Sequence, residues 1–302
     1  MRINKPQAVK PGDTLGIVAP AGTFDAQKLH EGIAFLNAQG YQTRLADGVF
    51  EAQGYLAGND MARVEQLHAM FSDPDVDAVL CARGGYGSLR LLPLLDFTLI
   101  AAHPKPFVGF SDICALLLSF YFRAHMPTFH GPMVCSLGQE ADQAGKDLLM
   151  KIRTRRPLEI MAEDAITLQS GVAEGIFLGG NLTTICHLLG TPYAPLLKGC
   201  ILFLEDTGEA LYRIDRMLTQ MHQAACFEGL AGVVLGGFSE CGPLDDIYAL
   251  VGSIFPAKSI PILAGVAAGH GEQNVTLPMG VHARLDADRG TLIFLEAAVD
   301  EP

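Results

Sequence analysis

The chain has 302 residues, which is longer than one hydrophobic core usually supports and favours two domains. Hydrophobic residues make up 49% and charged residues 18%, a balance that excludes a disordered chain and indicates a well-packed globular protein. The net charge of −12 argues against nucleic acid as a partner, because such binding depends on clustered lysine and arginine.

No segment of the sequence predicts a membrane span or export. The longest apolar stretch, Ile113 to Phe122, is about half of the ~20 residues that a span needs, so a buried helix is expected there. The apolar run from Leu15 to Ala19 is too short for the core of a signal peptide. Seven cysteines form an odd set without a C-x-x-C pair, so we expect reduced thiols and a cytoplasmic protein. The His and Cys spacing predicts no metal site.

The first half of the chain alternates short β-branched runs with helical patterns, which is typical of a parallel sheet flanked by helices. Helices are predicted over Gln27 to Gln39, which ends at Gly40, and over Met61 to Phe71, which Asn59 or Asp60 can cap. The predicted strands are Thr14 to Ala19, Tyr41 to Ala46, Asp77 to Ala82, Pro106 to Phe110 and Pro127 to His130.

A charged, proline-containing stretch from Arg153 to Gly171 interrupts this pattern around a strand over Ala165 to Leu168. We therefore predict one α/β domain over residues 1–155 and a second over 156–302. The predicted elements of the second are a helix beginning at Leu182, a strand over Cys200 to Leu204, a helix with Leu211, Ile214, Leu218 and Met221 on one face, strands over Gly232 to Leu235 and Ile262 to Val266, and a hairpin turn at Asp288-Arg289-Gly290.

The first candidate catalytic residue is Ser111, which stands where the fourth predicted strand turns into a helix. A serine at such a junction fits a nucleophile elbow, because a helix N-terminus offers unpaired N–H groups to a developing oxyanion. The match to G-x-S-x-G is partial, since Ile113 stands at the second glycine. Serine is also common at helix starts, and this segment taken alone favours an ordinary N-cap.

The stretch from Arg83 to Ser88 has three glycines in four positions between a predicted strand and a helix. Their backbone N–H groups can approach an anion or an oxyanion closely, and a plain tight turn fits the pattern equally well. Neither G-x-G-x-x-G nor a Walker lysine is present, which disfavours a nucleotide phosphate as the ligand.

Two further segments carry candidates for an acid and a base. Glu205 stands at the C-terminal end of a predicted strand, where α/β sheets present catalytic groups, although helix-dipole complementarity also explains a carboxylate there. His270 lies between two glycines, which offer little side-chain packing, so burial in the core does not readily explain this histidine.

In their order and spacing these segments resemble the LD-carboxypeptidase family, the muramoyl-tetrapeptide carboxypeptidases with a Ser-Glu-His triad. The resemblance spans nearly the whole chain and implies Ser111 as nucleophile, Glu205 as acid and His270 as base, with Asp206 and Glu209 close enough in sequence to be confused with the acid. It rests on Gly12 to Ala21, Gly54 to Gly58, Arg83 to Ser88, Gly109 to Asp112, Gly179 to Leu182, Leu204 to Asp206, Tyr212 to Arg216 and Gly269 to Gly271.

The resemblance also implies the fold and the activity. The expected fold is α/β, with a doubly wound, mostly parallel N-terminal sheet that carries the nucleophile and a smaller swivelling-type C-terminal domain that carries the acid and the base. The backbone N–H of Asp112 and one from Gly84 or Gly85 would form the oxyanion hole. The implied activity is release of terminal D-alanine from cytoplasmic peptidoglycan tetrapeptides in cell-wall recycling, by a homodimer without metal or other cofactor.

Two alternatives stay open at this stage. A microcin-C-type immunity hydrolase of the same family would be expected to stack a tryptophan on a nucleobase, and this chain has no tryptophan. A non-catalytic protein that holds a small anion at the glycine loop and the helix N-termini would not need Ser111.

Overall fold

The computed structural model describes residues 3–138, 142–162, 165–255, 260–271 and 273–300. The chain divides into two compact units. The first comprises Met1–Arg155, Val275–Pro278 and Ala298–Pro302, and the second comprises Arg156–Asn274 and Met279–Ala297. Two short segments from the C-terminal part of the chain thus belong to the first unit, which a division at a single residue does not describe.

Strands and helices alternate along the first part of the chain. They are β1 (Thr14–Val18), α1 (Ala26–Ala38), β2 (Gln42–Leu45), α2 (Asp60–Ser72), β3 (Ala78–Cys81), α3 (Phe97–Ala102), β4 (Phe107–Gly109), α4 (Cys114–Ala124), β5 (Thr128–His130) and α5 (Asp142–Arg153). The second part contains β6 (Leu158–Met161), β7 (Ile166–Gln169), β8 (Val172–Asn181), α6 (Leu182–Leu188), β9 (Cys200–Thr207), α7 (Leu211–Gln223), β10 (Gly232–Ser239), α8 (Leu244–Ile254), β11 (Ile262–Ala264), β12 (Leu277–Met279), β13 (Val281–Asp286) and β14 (Thr291–Phe294).

Local sequence signals explain the helices of the first unit. The carboxylate of Asp25 accepts a hydrogen bond from the N–H of Gln27 at 2.8 Å and caps α1, and Gly40 follows the helix with a φ of 88°. Helix α4 is buried on nearly every side, which confirms the buried helix expected for this apolar stretch. None of the described helices has the length and apolar character required to cross a membrane.

The first sheet has the strand order β12-β5-β4-β3-β1-β2, and the pairs from β5 to β2 are parallel. The chain leaves β1 toward β2 on one side and continues through β3 on the other, so the strand order reverses between β1 and β3. The loops that follow these two strands are joined by a hydrogen bond from the Gly22 N–H to the Gly84 carbonyl at 2.9 Å. In parallel α/β sheets, ligands bind beyond the carboxyl ends of the strands at such a reversal.

The second sheet has the order β6-β14-β13-β8-β9-β10-β11-β7. Its centre from β8 to β11 is parallel, and antiparallel strands flank it on both sides. The ring of Phe177 packs against Phe203 at 5.9 Å and against Phe294 at 5.3 Å between centroids, which places an aromatic cluster in this core. The predicted hairpin turn lies between β13 and β14, and the predicted α/β class with a mostly parallel first sheet is confirmed.

All seven cysteines lie in the described part of the chain and are free thiols. Five of them are buried, and burial raises the pKa of Cys186 to about 12 and that of Cys200 to about 11. These thiols are therefore poor nucleophiles, in agreement with the expectation of reduced, buried cysteines.

Candidate active site

Ser111 lies on a sharp turn between β4 and α4. Its φ is 64°, a left-handed value that only four non-glycine residues adopt in the described part of the chain. Strand β4 ends at Gly109, and one 3-10 turn over Ser111–Ile113 leads into α4. A non-glycine residue in this conformation costs on the order of 1 kcal/mol or more, so the surrounding structure must hold it. The turn has the strained strand-to-helix form of a nucleophile elbow.

Gly109 makes this turn possible because it lacks a side chain. A Cβ on Gly109 would lie 2.6 Å from Cγ2 of Ile113, far closer than packed atoms approach. Ile113 is fully buried and stands where the G-x-S-x-G pattern has its second glycine. The side chain of Ile113, which replaces the second glycine of the pattern, therefore packs against the first glycine, Gly109.

The side chain of Ser111 does not cap a helix. Neither the 3-10 turn nor α4 has a side-chain hydrogen bond at its start. Within the described residues of the first unit, the Ser111 hydroxyl makes no hydrogen bond. The ordinary N-cap interpretation of this segment is therefore wrong, and the hydroxyl is available for chemistry.

The loop after β3 packs directly against Ser111. A Cβ on Gly84 would lie 3.0 Å from Cβ of Ser111 and 3.3 Å from its Oγ. Gly85 has a φ of 104° and Gly87 a φ of 130°, values that glycine adopts without strain. Gly84 is required by its close approach to Ser111, and Gly85 and Gly87 are required by their backbone conformations. These requirements account for all three glycines, whereas a plain tight turn would not need the contact with Ser111.

Three backbone N–H groups expected as oxyanion donors are not engaged elsewhere. Among the described residues, the N–H groups of Gly84, Gly85 and Asp112 make no hydrogen bond. Unpaired N–H groups in a glycine loop and at a helix start bind anions. These groups are therefore available to an oxyanion.

Ser88 and Asp112 join the glycine loop to the serine turn. The Ser88 N–H donates to Oδ2 of Asp112 at 2.8 Å, and the Ser88 hydroxyl donates to the Asp112 carbonyl at 2.5 Å. Burial raises the pKa of the Asp112 carboxyl, and the hydrogen bond from the Ser88 N–H opposes that rise. The pair fixes the loop beside the serine. Sequence analysis identified only the backbone N–H of Asp112, because nothing in the sequence pairs its carboxylate with Ser88.

Arg63 supports the same region, and sequence analysis did not identify it. Its fully buried side chain donates from Nη1 to the Pro20 carbonyl at 2.7 Å and pairs with Asp60 at 2.5 Å. A Cβ on Gly87 would lie 2.6 Å from Nη1 of Arg63. The arginine thus contacts the loops after β1 and β3 together. An arginine in a helical pattern is normally solvent-exposed, so the sequence carries no signal for this role.

In the second unit, Glu205 and His270 form a hydrogen-bonded pair. The imidazole Nδ1 lies 2.7 Å from Oε2 of Glu205, and the backbone N–H of His270 donates to the same oxygen at 3.1 Å. Glu205 is fully buried, whereas the His270 side chain is 20% exposed. A carboxylate that accepts from Nδ1–H leaves Nε2 as the proton acceptor, which is the arrangement a general base needs.

The loop that carries His270 depends on glycines. Gly269 has a φ of 98°, and a Cβ there would lie 2.5 Å from Oε2 of Glu205. The N–H of Gly237 donates to the Ala268 carbonyl at 2.9 Å, at a point where the pairing of β10 with β9 shifts register. A β-bulge thus lets the loop approach the carboxylate closely.

The other carboxylates near Glu205 have different partners. Asp206 accepts from the N–H and the hydroxyl of Thr183 at 2.9 Å and 2.8 Å, and burial raises the pKa of its carboxyl. Glu209 pairs with Arg213 at 3.3 Å. Strand β9 extends past Glu205 to Thr207, so the expected position of Glu205 at the end of a strand is wrong: its backbone lies within a strand that is paired on both sides.

Each unit therefore presents some of the groups that acyl transfer requires. The first has a strained serine beside backbone N–H groups that have no partner among the described residues, and the second has an imidazole oriented by a buried carboxylate. A serine, an oriented imidazole and oxyanion donors are the groups that acyl transfer through a covalent intermediate requires.

Known proteins are similar to this chain in sequence and in fold. A murein tetrapeptide carboxypeptidase of Pseudomonas aeruginosa is 34% identical and aligns over 91% of this chain and 94% of its own. The crystal structure of a muramoyltetrapeptide carboxypeptidase from Oxalobacter formigenes superposes with a TM-score of 0.82 at 30% identity, over 96% of this chain and 99% of its own. An MccF-like protein from Bacillus anthracis, named after a microcin C7 self-immunity protein, gives a TM-score of 0.90 at 27% identity, also over 96% and 99%.

Models of protein families agree with these similarities. Residues 15–131 match the LD-carboxypeptidase N-terminal domain, and residues 174–285 match the LD-carboxypeptidase C-terminal domain. The chain belongs to the LD-carboxypeptidase family and is a serine-type carboxypeptidase.

Proposed function

We propose that this enzyme releases the terminal D-alanine from cytoplasmic peptidoglycan tetrapeptides, with Ser111 as nucleophile, His270 as general base and Glu205 as the acid that orients it. The observation that carries the proposal is the left-handed backbone of Ser111 beside N–H groups of the glycine loop that have no partner in the described part of the chain. The Ser111 hydroxyl makes no hydrogen bond within the described residues of the first unit, and a nucleophile requires a hydroxyl that is available in this way on a strained turn.

The mechanism follows from the chemical role of each group. Nε2 of His270 takes the proton from Ser111 as Oγ attacks the scissile carbonyl, and the developing oxyanion accepts hydrogen bonds from Asp112 and from Gly84 or Gly85. The imidazolium then gives its proton to the departing amine of D-alanine. Water hydrolyses the acyl-enzyme by the same proton path, and the Glu205 carboxylate stabilises the cationic imidazole throughout.

Different observations support the substrate and the compartment. Relatives of this chain are named for murein tetrapeptides, which supports a peptide with an L-configured centre before a terminal D-alanine. The seven free thiols fit a reducing compartment and support action on recycled wall fragments in the cytoplasm. The lack of tryptophan weighs against the alternative of an immunity hydrolase that stacks a nucleobase.

We expect Ser111→Ala, Glu205→Gln and His270→Ala each to lower kcat on the tetrapeptide by about 10³-fold or more, because triad members act as a unit. The combined loss should be far smaller than the product of the single losses. Steady-state kinetics with unfolding curves checks this. Glu209→Gln is the matched control, since Glu209 pairs with Arg213 and should leave kcat near normal. Loss in Glu209→Gln with activity kept in Glu205→Gln would refute the acid assignment.

Gly84→Ala should lower kcat by about 10- to 100-fold while the protein stays folded. The new Cβ would lie 3.0 Å from Cβ of Ser111, and a nucleophile displaced by a fraction of an ångström loses alignment. The control is Gly252→Ala, where a Cβ would meet nothing within 4 Å. Full kcat in Gly84→Ala, measured beside that control, would show that the loop does not position the serine.

The enzyme should remove D-alanine from the tetrapeptide and leave a pentapeptide ending in D-Ala-D-Ala intact. A D-residue before the scissile bond exchanges side chain and hydrogen relative to the attacking oxygen, and a carbonyl misplaced by ~1 Å can cost about 10²-fold. Mass spectrometry of both digests decides the matter. Efficient trimming of the pentapeptide, or an untouched tetrapeptide, is the contrary result.

We also propose a homodimer, on the family resemblance alone. Light scattering at micromolar concentration should give a particle near twice the chain mass of 32.3 kDa. A particle of one chain mass throughout a concentration series would contradict the proposal.

A further inference from the structure

A carboxypeptidase cuts only the last peptide bond, so it needs a group that recognises the terminal carboxylate. The carbonyl carbon under attack and the carboxylate carbon of the last residue are separated by three bonds, about 3 to 4 Å. A cation that binds this carboxylate must therefore be within reach of the atoms beside the nucleophile. Arginine suits the role, because its planar guanidinium donates two parallel hydrogen bonds to a carboxylate.

Most cations around the first sheet already have partners. Carboxylates pair with Arg44, Arg63 and Arg90, and Arg63 is also buried. Lys105 is buried and donates from Nζ to two backbone carbonyls, and burial lowers its pKa to about 8. These four side chains are committed to the structure of the unit.

Arg83 differs from them in its place and in its partners. It is exposed, it follows β3, and among the described residues it forms no ion pair. Its one hydrogen bond runs from Nη1 to the Thr23 carbonyl at 2.5 Å. Thr23 lies in the loop after β1, so the guanidinium bridges the two loops where the strand order reverses. The other N–H groups of the guanidinium are left for a ligand.

The next residue along the chain brings the backbone of Arg83 close to the nucleophile. Its Cα is about 3.8 Å from that of Gly84 across a trans peptide. Gly84 in turn packs on Ser111, where an added Cβ would lie 3.3 Å from Oγ. An oxyanion bound by the glycine loop and a carboxylate one residue further on would thus both fall within reach of one short segment.

We propose that Arg83 binds the C-terminal carboxylate of the substrate and so makes the enzyme select chain ends. The inference rests on the proposed function and names the group that recognises the end of that substrate. The competing cation is Lys28, which is exposed on the first turn of α1. Both charges act on the thiol of Cys135, whose pKa burial raises to about 11 and Arg83 lowers. Lys28 is therefore the matched control.

The experiment compares the tetrapeptide with its C-terminal amide, which keeps the scissile bond and removes the charge. Wild-type kcat/KM should be about 10- to 100-fold higher for the free acid, as expected for a charge-assisted hydrogen bond. Arg83→Met should remove that preference, mainly through a higher KM for the acid, and leave turnover of the amide unchanged. Arg83→Lys should restore part of the preference, and Lys28→Met should behave as wild type.

Several results would overturn the inference. They are equal wild-type rates on acid and amide, an equal loss on both substrates in Arg83→Met, and a lost acid preference in Lys28→Met. The wild-type comparison and Arg83→Lys keep the test decisive even where Arg83→Met fails to fold. Ser111→Ala separates the two proposals: turnover that survives it refutes the proposed function, whereas Ser111-dependent turnover without an Arg83 effect refutes only the role of Arg83.

Discussion

The left-handed backbone of Ser111 costs on the order of 1 to 3 kcal/mol, and the first unit must offset that cost on both sides of the turn. Ile113 packs on Gly109 behind the turn, and Gly84 packs on the serine in front of it. The hydrogen bonds between Ser88 and Asp112 hold these two parts together. The glycine loop packs against this strained residue at Gly84 and contacts Arg63 at Gly87, so the position of the hydroxyl follows from the packing around it.

The second unit solves a different problem, which is to bury a carboxylate without leaving it unpaired. Glu205 lies within a strand that has neighbours on both sides, where an isolated charge would be costly. The imidazole and the backbone N–H of His270 both approach its Oε2, and Gly269 permits that approach. The histidine is thereby fixed in one tautomer while its other nitrogen stays available. Orientation of the base is thus a consequence of satisfying a buried charge.

Local patterns predicted β1 to β5 of the first sheet, which are short strands alternating with helices, but not β12, which joins that sheet from the C-terminal part of the chain. They did not predict β8, because its glycines look like a loop, whereas Gly179 is needed where a Cβ would lie 1.9 Å from the Phe203 carbonyl. The end of β9 was misjudged for a similar reason: Glu205 is polar, and only its tertiary partner explains its place in a buried strand.

In the site, too, local sequence patterns predicted the positions of residues, whereas contacts between distant residues determine their conformations. The sequence placed Ser111 at a strand-to-helix junction, but its φ depends on Ile113 and Gly84, which no local pattern connects. The return of Val275–Pro278 to the first unit likewise depends on contacts between distant parts of the chain. Sequence order can name candidate groups, and packing decides which of them are strained, buried or left free.

The most direct test of the central claim is covalent labelling with a fluorophosphonate, followed by tandem mass spectrometry of the digested protein. We expect one adduct, on Ser111, which disappears in Ser111→Ala and persists in Ser253→Ala, a change at an exposed serine of α8. An adduct on another serine, or an unlabelled wild-type protein that still cleaves the tetrapeptide, would contradict the assignment of Ser111 as the nucleophile.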